Sequence, residues 1–79
     1  MMPSQCRAAR ALLGMTQPAL AAASKLGLSS IVDFEKERRA VSAQAIAAIR
    51  AALELAGVEF IAENGGGPGV RLKRLNRGI

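Results

Sequence analysis

The segment that decides the fold is TQPALAAASKLGLSSIVDFEKERR, residues 16–39. Thr16 is a suitable N-cap for a short helix, because its hydroxyl can accept a hydrogen bond from the first helical turn. Lys-Leu-Gly at 25–27 interrupts that helix, and a second helix is predicted from about residue 28 to residue 36. Ile31 and Phe34 are three residues apart, so they share the face of this second helix that is directed to the core. The segment is therefore predicted to fold as two short helices joined by a tight turn.

The composition limits the chain to one small domain. It has 79 residues, a net charge of +5, one cysteine and no histidine. A chain of this length buries only about 60% of its unfolded surface, so self-association is expected to support its core. A single cysteine excludes an internal disulfide, and without histidine a Cys/His metal site is not expected. No stretch approaches the roughly 20 apolar residues of a membrane span, and a reducing, cytoplasmic setting is expected.

Two more helices are predicted, one on each side of the central segment. Pro3 and Ser4 indicate the start of the first helix, with Ser4 as its possible cap and Gly14 at its end. Ser42 is the candidate cap of a fourth helix that ends at Gly57. The side chains predicted to form the core are Leu20, Ile31, Phe34, Ile46, Ile49 and Leu53.

After Gly57 the sequence alternates apolar and polar residues. VEFI at 58–61 and VRLKRL at 70–75 have this period, and the glycine-rich AENGGGPG separates them. The pattern predicts a β-hairpin. A lone two-stranded hairpin is marginal in water, so it must pack on the helices or pair with a second copy. We therefore expect a helical domain at 1–57 and a hairpin and tail at 58–79 that form a homodimer by edge pairing or hairpin exchange.

Residues 16–39 also resemble a known family. The segment resembles the Xre/Cro-type helix-turn-helix of phage repressors and small bacterial regulators. The shared pattern is Thr-Gln, then Leu-Ala, a turn, Ser, Ile and a hydrophobic-Glu pair that precedes basic residues. The residues that match in place and spacing are Thr16, Gln17, Leu20, Ala21, Ile31, Phe34, Glu35 and Arg38. The C-terminal GVEFIAENGGGPGVRLKR is similar to a tail carried by many short bacterial members. The resemblance implies a mainly α fold, a four-helix lambda-repressor-like domain with a short C-terminal β-hairpin.

The chain departs from the family pattern at three positions, one of which is Gly27, where the family often has serine or threonine. The family usually has glycine where Lys25 stands, because that residue tends to have a positive φ. It often has glycine where Glu37 stands as well.

The resemblance implies how the segment would contact double-stranded DNA. The predicted helix at 28–36 would lie in the major groove, with its exposed residues against base edges. The predicted base-reading residues are Leu28, Ser29, Val32 and Asp33. Leu28 and Val32 would contact thymine methyls, Ser29 would donate or accept a hydrogen bond, and Asp33 would accept one from cytosine. The predicted phosphate contacts are Gln17, Lys25, Lys36, Arg38 and Arg39, with Arg7 and Arg10 as weaker candidates.

Several of these residues also have a purely structural interpretation. Asp33 is alternatively a solvated or capping carboxylate, since phosphates repel an acid unless a base pairs with it. Glu35 is expected to pair with a nearby arginine as a brace between elements. Cys6 has helical core spacing and is expected to be a small buried apolar group.

The predicted function is that of a sequence-specific bacterial or phage transcriptional regulator at the nucleoid, a repressor or autoregulator that binds a pseudo-palindromic operator as a homodimer. The alternatives are an antitoxin or antiactivator that binds a partner protein, and a nonspecific nucleoid or RNA binder. Catalysis is not expected, because there is no histidine base and NGGGPG lacks the Gly-Lys-Ser/Thr ending of a phosphate loop. No cofactor or small-molecule effector is expected either.

Overall fold

The computed structural model describes residues 1–73. Four helices are followed by two strands, in the order α1 (Pro3–Leu13), α2 (Gln17–Ser24), α3 (Leu28–Lys36), α4 (Ala43–Ala56), β1 (Val58–Ile61) and β2 (Gly69–Leu72). The prediction of a small, mainly helical fold with a C-terminal hairpin is thus confirmed. Residues 74–79, which include Arg74 and Leu75 of the predicted second strand, lie outside the described residues.

Side-chain caps begin two of the helices as the sequence predicts. Thr16 Oγ1 accepts the Ala19 N–H at 3.1 Å, and Ser42 Oγ accepts the Ala45 N–H at 3.1 Å. The predicted cap of α1 is wrong, because Met2 takes the N-cap position and Ser4 lies within the first turn. Proline fits the first helical position, so the helix begins at Pro3 rather than after it. The Met2 N–H is satisfied instead by Gln5 Oε1 at 2.8 Å.

Three helices end at a residue in the left-handed conformation. Gly14 ends α1 with φ of 66°, Lys25 ends α2 with φ of 61°, and Glu37 ends α3 with φ of 55°. Glycine has no Cβ and adopts this conformation without strain, whereas lysine and glutamate do not. The positive φ expected at Lys25 is confirmed, and the chain turns into and out of α3 at strained residues.

The core gathers side chains from all four helices and from β1. Its members are Cys6, Ala9, Leu20, Ala21, Ile31, Phe34, Ile49, Ala52, Leu53 and Val58. Five of the six predicted core residues belong to it, whereas Ile46 is only half-buried against its edge. Burying these side chains is the main favourable term that holds the helices together.

The hairpin packs on the helices. Its antiparallel strands pair Val58 with Leu72 and Phe60 with Val70, and β2 starts one residue earlier than predicted and ends at Leu72. Val58 is fully buried, and Gln5 of α1 donates from Nε2 to the Gly69 carbonyl at 2.8 Å. A polar bond from α1 and an apolar anchor therefore fix the hairpin to the helical body.

Candidate nucleic-acid interface

The candidate interface is the outer face of α3. Leu28 and Ser29 are exposed, and Val32 and Asp33 are half-buried one turn later. Residues four apart lie on the same side of a helix, so these four side chains and Lys36 form one stripe. We call this stripe the α3 face. The opposite side of α3 holds Ile31 and Phe34 in the core.

Basic side chains lie at both ends of α3. Lys25 is exposed in the turn before it, and Lys36 and Arg38 are exposed at its end. Helix α3 has nine residues and is therefore about 13 Å long. This length is close to the roughly 12 Å width of the major groove of B-form DNA. Positive charge therefore lies at both ends of α3.

Asp33 was predicted to contact a base and Arg39 to contact a phosphate. The structure brings the two side chains into contact with each other. Arg39 Nε donates to Asp33 Oδ2 at 2.6 Å. The Arg39 side chain is 57% exposed and the Asp33 side chain 19%. The Asp33 carboxylate is thus neutralised by a cation from the connection after α3, and that cation lies at the edge of the α3 face.

Behind the α3 face, Glu35 is almost completely buried and joins three helices. Arg10 of α1 contacts both carboxylate oxygens, with Nε 2.6 Å from Oε2 and Nη2 2.7 Å from Oε1. Cys6 Sγ donates to Oε2 at 3.1 Å, and Gln17 Nε2 donates to Oε1 at 3.0 Å. Arg10 is therefore the arginine expected to pair with Glu35. This carboxylate fixes the position of α3 relative to α1 and α2.

The buried cluster has altered proton affinities. Burial favours a higher pKa for Glu35, but the hydrogen bonds from Arg10, Gln17 and Cys6 outweigh it and hold the pKa below its ordinary value. Burial, followed by the hydrogen bond and negative charge of Glu35, raises the pKa of Cys6 to about 12. The Cys6 thiol is therefore protonated at neutral pH and acts as a donor to Glu35, which makes it a poor nucleophile.

This cluster also engages residues that were predicted to contact phosphate. Gln17 is half-buried and directs its amide to Glu35, and Arg10 is held in the same way. Arg7 Nη1 donates to the Glu35 backbone carbonyl. At the start of α2, the Ala19 N–H donates to Thr16, and Pro18 has no N–H. The Gln17 N–H is therefore the backbone donor there that could bind an anion. Of the predicted phosphate contacts around α3, Lys25, Lys36 and Arg38 are therefore exposed cations that this cluster does not engage.

The roles of Gln17 and Cys6 were not anticipated from the sequence. The available signal for a cluster on α1 was the four-residue spacing of Cys6 and Arg10, which places both side chains on one side of the helix. No sequence signal identified Asp33 as the partner of Arg39.

Comparison of the chain with protein-family models and with curated proteins gives no match. Within residues 1–73, no group of three or more His, Cys, Asp or Glu side chains could hold a metal ion. No helix in that range is long and apolar enough to cross a membrane.

Proposed function

We propose that the protein is a sequence-specific double-stranded DNA-binding transcriptional regulator of the Xre/Cro helix-turn-helix type, a repressor or autoregulator. The observation that carries the proposal is the α3 face, a stripe of exposed and half-buried side chains with Lys25 beyond one end and Lys36 and Arg38 at the other. A helix presented in this way fits the major groove with its basic ends at the phosphates. A net charge of +5 favours a polyanionic partner.

In this proposal, α2 and α3 form the helix-turn-helix and α3 enters the groove. Leu28 and Val32 contact thymine methyls, and Ser29 bonds a base edge. Lys25, Lys36 and Arg38 bind phosphates and set the register of the protein on the duplex. The Glu35 cluster holds α3 at a fixed angle to the other helices, because Arg10 and Gln17 grip the same carboxylate.

A single α3 reads only one half-site, so the proposal includes a homodimer on a pseudo-palindromic operator. The half-sites would be about one helical turn, 34–36 Å, apart. The hairpin supports this proposal, because its Leu72 side chain is 50% exposed next to the buried Val58. Pairing of two hairpins would bury that leucine.

The experiment is a fluorescence-anisotropy titration against DNA from upstream of the gene for this protein, beside a scrambled duplex, at two salt concentrations. We expect a preference of about a thousandfold and two chains per site. Arg38→Ala should weaken binding to both duplexes and lower the salt slope by about one, because it removes one phosphate contact. Ser29→Ala should change the preference between sequences instead.

Other outcomes of this titration reject the proposal. Equal, strongly salt-dependent binding to both duplexes would indicate a nonspecific nucleic-acid binder. A protein that binds neither duplex would favour the antitoxin or antiactivator alternative, and a search for a protein partner would follow.

A further inference from the structure

The α3 face lacks the side chains that read bases most strongly. Helix α3 contains no arginine, asparagine or glutamine, the residues whose planar groups make bidentate contacts with guanine or adenine. It presents instead the carboxylate of Asp33, a group that phosphates repel. An acid on a DNA-facing surface requires a neutralising partner, and Arg39 supplies it.

The turn after α3 explains how Arg39 reaches this position. Glu37 adopts the left-handed conformation and reverses the chain. The Arg38 N–H then donates to the Asp33 carbonyl at 3.0 Å. In the next residue, Arg39 Nε donates to the Asp33 carboxylate. Asp33 thus fixes the chain through its backbone and the guanidinium through its side chain, so Arg39 lies against the last turns of α3.

The contact with Asp33 leaves most of the guanidinium donors available. Arginine has five N–H groups, and the bond from Nε uses one of them. Within residues 1–73, the Nη1 and Nη2 atoms of Arg39 donate no hydrogen bond, and the side chain is 57% exposed. The four remaining N–H groups form a planar fork, which is the geometry that matches the O6 and N7 acceptors of guanine.

We infer that Arg39 reads a guanine in the major groove, and that Asp33 is a positioning residue that orients the guanidinium for this contact. The inference rests on the proposed function and assigns Arg39 to a base rather than to a phosphate. The ligand is a G·C base pair next to the bases contacted by Ser29 and Val32. An ion pair prepares the guanidinium before binding, so fewer of its rotamers are lost when the contact forms.

The test begins with selection of binding sites from a randomised duplex by the wild-type protein and by Arg39→Lys, Asp33→Asn and Arg50→Lys. The Lys variants keep the charge and lose only the planar fork. We expect the wild-type consensus to contain a G·C pair whose selection Arg39→Lys reduces strongly, because an ammonium lacks the planar fork that matches both guanine acceptors. Asp33→Asn should weaken the same selection. Arg50→Lys is the matched control, because Arg50 also pairs through Nε with a carboxylate, that of Glu54, but lies on α4 outside the proposed DNA contacts. It should leave the consensus unchanged.

A second measurement identifies the atom that is read. Replacing the selected guanine by 7-deazaguanine removes the N7 acceptor and should weaken wild-type and Arg50→Lys binding about tenfold. The same replacement should weaken binding by Arg39→Lys clearly less than tenfold, because the planar contact is already lost. The double variant Asp33→Asn/Arg39→Lys should discriminate no worse than Arg39→Lys alone, because Asp33 acts through Arg39.

Two results would overturn the inference. An unchanged consensus for Arg39→Lys, with binding to every sequence weakened equally, would make Arg39 a phosphate contact and leave the proposed function intact. A wild-type protein that selects no consensus at all would overturn the proposed function and this inference together. Circular dichroism of each variant shows that a loss of selection does not come from unfolding.

Discussion

Lys25 and Glu37 hold left-handed backbone conformations at the two ends of α3. For a residue with a Cβ, this conformation costs about 1–2 kcal/mol. Strained backbone of this kind persists where surrounding structure enforces it, and it is common at functional sites. Lys25 is also a proposed phosphate contact, and Glu37 sets the turn that brings Arg39 to Asp33. At both positions a side chain occupies a place where glycine would be more stable.

The first prediction isolates the strain at Lys25. Lys25→Gly and Lys25→Ala both remove the charge, but only the glycine variant relieves the left-handed conformation. We expect the glycine variant to have a free energy of unfolding about 1 kcal/mol higher than the alanine variant. Urea denaturation measures the difference. Equal stabilities would show that this turn relaxes when the lysine is removed.

At the scale of the elements, the Glu35 carboxylate is the main polar link among α1, α2 and α3. It accepts hydrogen bonds from Arg10 and Cys6 of α1 and from Gln17 of α2. A buried ion pair adds little net stability when intact, but removal of one partner leaves the other charge uncompensated. The helices therefore depend on the completeness of this cluster more than on any one of its bonds.

The second prediction is that Glu35→Gln lowers the free energy of unfolding by about 3 kcal/mol, because it leaves the Arg10 guanidinium without its counter-charge. The matched control is Glu54→Gln, which breaks the exposed Arg50–Glu54 pair within α4. That pair is worth about 0.5 kcal/mol or less. Urea denaturation of both variants makes the comparison, and similar losses would contradict a special role for Glu35.

The third prediction concerns pH. The pKa of Glu35 is lowered in the folded protein, so the unfolded chain binds a proton more readily than the folded one. The stability from this carboxylate is fully present above the ordinary glutamate pKa of about 4.3 and is lost as the pH falls through the lowered value. Urea midpoints should fall on acidification less steeply in Glu35→Gln than in the wild type. Parallel curves would rule out Glu35 as a source of the acid sensitivity.

The elements could be predicted because their signals are local. Thr16 and Ser42 cap helices through residues three positions later, and the spacing of Ile31 and Phe34 identifies the buried side of α3. The α1 cap was missed, because the helix begins at Pro3 and Gln5 serves the Met2 N–H in place of a cap side chain.

The contacts of the candidate site were harder to predict because they join separate elements. Gln17 and Cys6 meet Glu35 only when α1, α2 and α3 cross, and the bonds span 18 and 29 residues. Arg39 reaches Asp33 only because Glu37 adopts a left-handed conformation that glutamate disfavours. Residue types and spacing therefore predicted which surface is exposed, and not which of its side chains pair with one another.

At the scale of the whole molecule, the hairpin contributes both to the fold of one chain and to the proposed dimer. Val58 belongs to the core, so truncation after Gly57 would remove a buried side chain as well as the proposed dimer surface. A substitution on the exposed part of the hairpin separates the two roles. Leu72 is suited to this purpose because half of its surface is exposed.

The fourth prediction is that Leu72→Asp produces a folded monomer, because two charged hairpins cannot pair through that surface. Its affinity for a full operator should fall at least a hundredfold, since the second half-site no longer adds avidity. The matched control is Leu12→Asp on α1, where the leucine is 44% exposed. Sedimentation velocity distinguishes the outcomes, and a dimeric Leu72→Asp would exclude the hairpin surface as the interface.

The bonds from Gln5 to the hairpin also determine when the protein can finish folding. The Gln5 amide reaches the carbonyls of Ile61 and Gly69, which follow it by 56 and 64 residues. At a synthesis rate of about 5–20 residues per second, Gln5 is made roughly 3–13 s before Gly69 exists. During those seconds the side of α1 that will be buried has none of its hairpin partners. Each new chain can therefore complete the packing of α1 only after the hairpin has been synthesised.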